Sequence, residues 1–187
     1  MNQNENKLIC PVCNNISNHY RNLREVALYH CQNCTHRFTD IKSIKLIETY
    51  SQEYFKEKHP NWFENQNYQL FDYILNKINS VNSSNPSILD ACCGQGDFLK
   101  YLKKKSNTIK LTGIDFHKND PEENINYLCG DIFATEFNEK FDVIINLASI
   151  EHIENVKNYI NLLKKLCKDG GLIITMTIND SSLVYSV

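Results

Sequence analysis

The chain has 187 residues, with 20 Lys and Arg against 22 Asp and Glu and a formal net charge of −2. That length buries the core of one ordinary domain with a small appendage, and the near balance of charge gives no global attraction to nucleic acid or to an anionic membrane. The opening residues, MNQNENKLIC, carry no apolar signal segment, and no apolar run is long enough to span a bilayer, so the cytoplasm is the expected compartment.

The first segment, residues 1–40, is marked by cysteine. Cys10 and Cys13 form one Cys-x2-Cys pair, and Cys31 and Cys34 form a second after a gap of 17 residues. Each pair makes a tight turn that points two thiolates at one ion, and two such turns complete a tetrahedron, which is the spacing of a four-cysteine zinc site. Two redox dithiols are the competing reading. Four cysteines leave no open position, so the ion is expected to be structural, with His30 and His36 as spare neighbours. Strand-like stretches, EVALYH and HRFTD, lie between and after the pairs. So small a segment needs the metal in order to fold.

Residues 41–85 read as two helices acting as a linker or lid. In the second, Phe63, Leu70, Phe71, Ile74, Leu75 and Ile78 approximate one helical face. The aromatic group Tyr50, Tyr54, Phe55, His59 and Trp62 either closes over a ligand or packs on the next domain. VNSSNPS, with its proline, marks the boundary.

From residue 86 to 187 strands and helices alternate. SILDA, IKLTGID, INYLCG, FDVIINL and GLIITMTI read as strands; GDFLKYLKKK and NVKNYINLLKKLCK read as helices. This order predicts an α/β fold, a doubly wound, mostly parallel sheet covered on both faces. Cys129 and Cys167 are expected in its core.

The loop between the first strand and its helix, ACCGQG, suits a nucleotide, a redox pair or a metal. An open parallel sheet places a nucleotide there. A dinucleotide fingerprint fails, because Leu99 stands where its third glycine belongs. Asp90, Cys92, Gly94 and Gly96 instead fit an acidic-x-G-x-G-x-G pattern with Cys92 in place of the first glycine, and this resembles motif I of the class I S-adenosylmethionine-dependent methyltransferases. TGIDFH, ending a second strand in Asp115, CGDIF with Asp131, and FDVIINLASIEHI with Glu151 and His152 follow in the family's order, and KDGGLIITM matches its turn into strand five.

The resemblance implies a Rossmann-like core that binds S-adenosylmethionine. Cofactor contacts would come from Asp90, Ala91, Cys92 and Gly94, from Asp115 and Phe116, from Asp131 and Ile132, and from Asn146. Asp115 would accept the ribose hydroxyls, Asp131 the adenine amino group. His152, an imidazole just past the fourth strand, is the candidate base, with packing or capping of the next helix as the competing role. Cysteine ribbons before such a core resemble enzymes acting on small metabolites and activated sugars, so O- or C-methylation of a small molecule is expected. An RNA methyltransferase gripping nucleic acid with the ribbon is the alternative, with Arg21, Arg24 and Arg37 set against Glu25 and Asp40. A third reading is a shortened, non-catalytic cofactor-binding protein. The family adds a C-terminal hairpin after strand five. Its absence before Val187 leads to the expectation that strand five is an exposed edge and that the chain self-associates there.

Overall fold

A computed structural model describes residues 7–23, 26–40, 65–81 and 83–179. The chain divides into two compact units, Met1–Thr49 with Glu154–Asn158, and Tyr50–Ile153 with Tyr159–Val187.

The first unit holds four antiparallel strands in the order β1 (Lys7–Ile9), β2 (Ile16–Leu23), β3 (Val26–Cys31) and β4 (Arg37–Thr39). β3 and β4 lie where EVALYH and HRFTD predicted them. β2 was not legible, because ISNHYRNL lacks the apolar alternation of a half-buried strand. Its pairing with β3 shifts register between His19 and Arg21, and the residue between them, Tyr20, is exposed with the Arg21 and Arg37 guanidiniums 5.6 and 5.0 Å from its ring centre.

The second unit contains a five-stranded parallel sheet in the order β7-β6-β5-β8-β9, built from β5 (Ser87–Ala91), β6 (Lys110–Asp115), β7 (Ile125–Cys129), β8 (Phe141–Leu147) and β9 (Cys167–Met176). Helices α1 (Tyr68–Ile78) and α2 (Asp97–Lys105) cover one face, and α3 (Val156–Leu166) covers the other. Residues alternate between the faces of a strand. Thus Ile88, Val143 and Ile145 pack with Phe71, Ile74, Phe98 and Leu102, while Leu89, Ala91 and Ile144 pack with Tyr159 and Leu163. Both faces being covered explains why these strands read as unbroken apolar runs.

Residues 68–78, read from sequence as part of a linker, place Phe71, Ile74 and Ile78 in the sheet's core. The earlier helix and the group Tyr50, Tyr54, Phe55, His59 and Trp62 lie outside the described residues, as does everything after Asn179. Cys129 is exposed rather than buried, because it is the last residue of the edge strand β7; Cys167 is buried as expected. No helix among the described residues is long and apolar enough to cross a membrane.

Candidate functional site

The four ribbon cysteines come together. Their sulfurs all lie within 4.8 Å of one another, with Cys10 Sγ 3.6 Å from Cys34 Sγ and Cys13 Sγ 3.4 Å from Cys31 Sγ. A tetrahedron of sulfurs at about 2.3 Å from a zinc ion has edges of about 3.8 Å. The two turns are built alike. The Cys10 N–H donates to Asn15 O and its carbonyl accepts from Asn14 N; Cys31 does the same with His36 O and Thr35 N. The residue after each second cysteine is left-handed, Asn14 at φ +60° and Thr35 at φ +61°. Asn suits that region, whereas a β-branched Thr is strained there, and its hydroxyl donates locally to Cys34 O. Hydrogen bonds from the Asn15 backbone and side chain bring the Cys13 thiol down to about 6. At Cys34 the His36 N–H pulls downward, yet burial and the neighbouring thiols prevail and raise it to about 12. Such a cluster cannot ionise fully without a cation to offset its charge. The His36 ring stacks on Phe38, and that of His30 meets Gln32 and Tyr20.

The second cluster sits at the carboxyl ends of β5, β6, β7 and β8. The loop after β5 turns through three left-handed residues, Cys92 at φ +62°, Gly94 at φ +55° and Gly96 at φ +74°. The first of these is the position where the sequence pattern lost a glycine. Asp115 closes β6 and faces this loop: its Oδ2 accepts from Gly94 N at 2.8 Å and its Oδ1 from His117 N at 2.9 Å. Cys93 N donates to Ile114 O, and Gly130 N to Asp115 O, so the loops after β5, β6 and β7 are tied to one another. A carboxylate offers about four acceptor sites, so Asp115 retains capacity for two hydroxyl donors. After β7, Asp131 is exposed and caps a turn through Phe133 N (2.9 Å), while Ile132 is buried. Phe116 and Phe133 present exposed rings, 66% and 48% accessible.

Asp90 is buried in β5. Burial, reinforced by the carboxylates of Asp115 and Asp97, pushes it up to about 8. Burial likewise raises Cys92 to about 11, and Cys93 further. Burial thus disfavours the thiolate form of both. Ala91 and Asn146 are fully buried. The Asn146 amide nitrogen lies 3.0 Å from Ala91 O, 2.6 Å from Ser149 Oγ and 2.6 Å from the Tyr159 hydroxyl. In this structure Asn146 braces the base of the loop against the turn after β8. That 3₁₀ turn, Ile150–His152, exposes His152, while Glu151 accepts from the Thr177 hydroxyl at 3.0 Å.

Several residues here carried no sequence signal. Asn119 donates to Gly94 O at 2.8 Å and Lys100 to Gln95 O at 2.8 Å, satisfying two carbonyls of the loop. Ser149 and Phe133 belong with them. Asn119 and Lys100 sit in a polar loop and on a solvated helix face, where nothing in the pattern marks a side chain as turned inward.

Comparison with known proteins agrees with this arrangement. The model of a methyltransferase domain family matches residues 40–185. Ubiquinone biosynthesis O-methyltransferase of Rickettsia typhi is 31% identical over 157 residues, 77% of this chain and 63% of its own length. The Dictyostelium discoideum protein, a mitochondrial ubiquinone biosynthesis O-methyltransferase, is 28% identical over 145 residues, 60% of this chain and 45% of its own. The chain thus spans about half the length of the curated relatives it matches. Among solved structures, an S-adenosylmethionine-dependent methyltransferase from Clostridium acetobutylicum aligns with a TM-score of 0.52 at 22% identity, over 65% of this chain and 55% of that one. A plantazolicin methyltransferase in complex with a pentazolic desmethylPZN analog and SAH aligns with a TM-score of 0.51 at 21% identity, over 72% and 63%. These two show the fold. With the family model covering most of the sequence and the strand order of that fold in place, the chain belongs to the methyltransferase-domain family and has the class I S-adenosylmethionine-dependent methyltransferase fold.

Proposed function

We propose that this chain binds S-adenosylmethionine at the carboxyl ends of β5 to β8 and promotes methylation of a small-molecule acceptor. The observation that carries the reading is Asp115, whose carboxylate is held against the glycine loop by Gly94 N and keeps acceptor capacity for a ribose diol. Asp90, Ala91, Cys92 and Gly94 form the loop side of the site, Phe116, Asp131 and Ile132 the adenine side, and Asn146 the brace beneath. The relatives' names, ubiquinone biosynthesis O-methyltransferase, favour a hydroxyl acceptor over a carbon one. When bound, the cofactor supplies an electrophilic methyl group on a sulfonium. The protein's part is alignment, which accounts for much of the rate in such transfers, and removal of the hydroxyl proton, which we assign to a ring nitrogen of His152. Glu151 is engaged by Thr177 and is not given this role.

Cys10, Cys13, Cys31 and Cys34 are proposed to hold one structural zinc ion, because four thiolates at tetrahedral spacing leave no position for a reactant. The proposed organisation is a zinc ribbon at 1–40, a connecting segment at 41–85 and the cofactor-binding core from 86. The RNA reading draws on Arg21 and Arg37 beside Tyr20; steeply salt-dependent RNA binding would favour it, and no binding at low salt would remove it.

Calorimetry with S-adenosylhomocysteine tests the main reading. One site per chain is expected, and Asp115→Ala should weaken it by roughly 1.5–3 kcal/mol, or about ten- to a hundredfold. Unchanged affinity in a folded variant would take Asp115 out of the site.

A further inference from the structure

We propose that Tyr127 is the positioning residue of the glycine loop, its ring filling a slot that exists because residues 96 and 113 have no side chain. The inference rests on the reading that this loop binds the cofactor, and the two are separable by experiment.

Tyr127 lies on β7 directly beside Gly113 of β6. A Cβ added to Gly113 would stand 3.1 Å from Tyr127 Cδ1, 2.7 Å from Leu99 Cδ1 and 2.8 Å from Cys93 Sγ. A Cβ added to Gly96 would stand 2.8 Å from both Cε1 and Cζ of Tyr127, and closer still to its hydroxyl oxygen. A real Cβ does not fit at Gly96, and at Gly113 one would clash with Leu99 and Cys93 and press on the Tyr127 ring, so the ring runs beside Gly113 and ends against Gly96. Gly96 is the left-handed residue that caps α2 without a side-chain bond. Its N–H donates to Cys93 O and its carbonyl accepts from Lys100 N, so it is the hinge between loop and helix. Tyr127 thus wedges the residue that joins the Gly94 turn to α2.

The Tyr127 hydroxyl is buried without a hydrogen-bond partner among the described residues. A hydroxyl so placed costs free energy rather than supplying it, so the wedge acts through shape. A tyrosine that merely filled the core would lower global stability when truncated and leave the loop's opening unchanged relative to the rest of the sheet.

The test uses the full chain loaded with zinc and reads amide exchange at Gly94 and Gly96 together with S-adenosylhomocysteine affinity. Variants are Y127A, Y127L (which keeps the core filled should Y127A fail to fold), Y127F, and Ile109→Ala, a core truncation at the opposite end of β6. Y127L is expected to speed exchange at Gly94 and Gly96 by about tenfold and to weaken binding by about tenfold. Y127F should keep both within about twofold of the parent, and Ile109→Ala should lower the melting temperature while leaving both intact. Parental loop exchange in Y127L, equal loosening by Ile109→Ala, or loss in Y127F matching that of Y127L would each overturn the inference. If the parent chain itself fails to bind, the cofactor reading falls, and the exchange data alone still decide whether Tyr127 holds the loop.

Discussion

At the scale of single residues, Cys92 illustrates what a motif can and cannot say. The pattern marks position 92 as a glycine position, and the backbone there is left-handed at φ +62°. A cysteine tolerates this at a cost of about 1–2 kcal/mol, and its sulfur rests 3.8 Å from the Tyr159 hydroxyl. Cys92→Gly should therefore fold and bind S-adenosylhomocysteine at least as well as the parent. Cys92→Val should lose about 2 kcal/mol or more of stability, because a β-branched side chain is strained in this region. Thermal melts of the two variants check the claim, and equal melting temperatures would show that the loop relaxes out of the left-handed conformation. Asp115 was legible as the end of a predicted strand, and Asp90 and Asp131 lie within two residues of strand ends. The burial of Asn146 and its approach to Ala91, Ser149 and Tyr159 were not legible, because they follow from a side-chain orientation that spacing does not encode.

At the scale of elements, the sheet was readable strand by strand, since doubly covered strands are continuous apolar runs and the intervening helices show helical periodicity. Boundaries were less secure. β9 begins at Cys167, inside the predicted helix, because Cys167 pairs with Phe141 before a register shift carries the strand past two glycines to Leu172 opposite Val143. A polar staple at the far end of the sheet had no sequence signature either. Asp142 Oδ2 accepts from Ser87 N, Ser87 Oγ and Lys168 Nζ, each at 2.8 Å, joining the starts of β5, β8 and β9. Burial alone would raise this carboxyl, but the Lys168 ammonium and the Ser87 donors prevail and hold it at about 2. A depressed carboxylate stabilises the fold above its unfolded value of about 3.9 and loses that contribution as pH falls toward 2. With Lys168 half exposed, the expected effect is about 1–2 kcal/mol. Denaturant melts from pH 5 to pH 2 should show this loss in the parent and a flatter profile in Asp142→Asn; identical slopes would mean the staple contributes nothing.

At the scale of the whole molecule, the two units are held by different physics. The sheet buries two apolar layers, whereas the described residues of the ribbon bury little besides Cys10, Ser17, Tyr29 and Cys31, so its stability should come from the metal. About one zinc per chain is expected, and Cys31→Ser should unfold residues 7–38 while leaving the sheet's amide protection in place. A metal-free ribbon with native protection would contradict this. β9 forms one edge of the described sheet, with Leu172, Ile173 and Ile174 partly buried. The central claim, that the ends of β5 to β8 form an S-adenosylmethionine site, is tested most directly by titrating isotope-labelled protein with S-adenosylhomocysteine and following backbone amide resonances. Saturable shifts concentrated at Gly94, Asp115, Phe116, Asp131 and Ile132 are expected, with the ribbon unmoved. A folded chain whose resonances stay in place, or shift only outside these residues, would contradict the account.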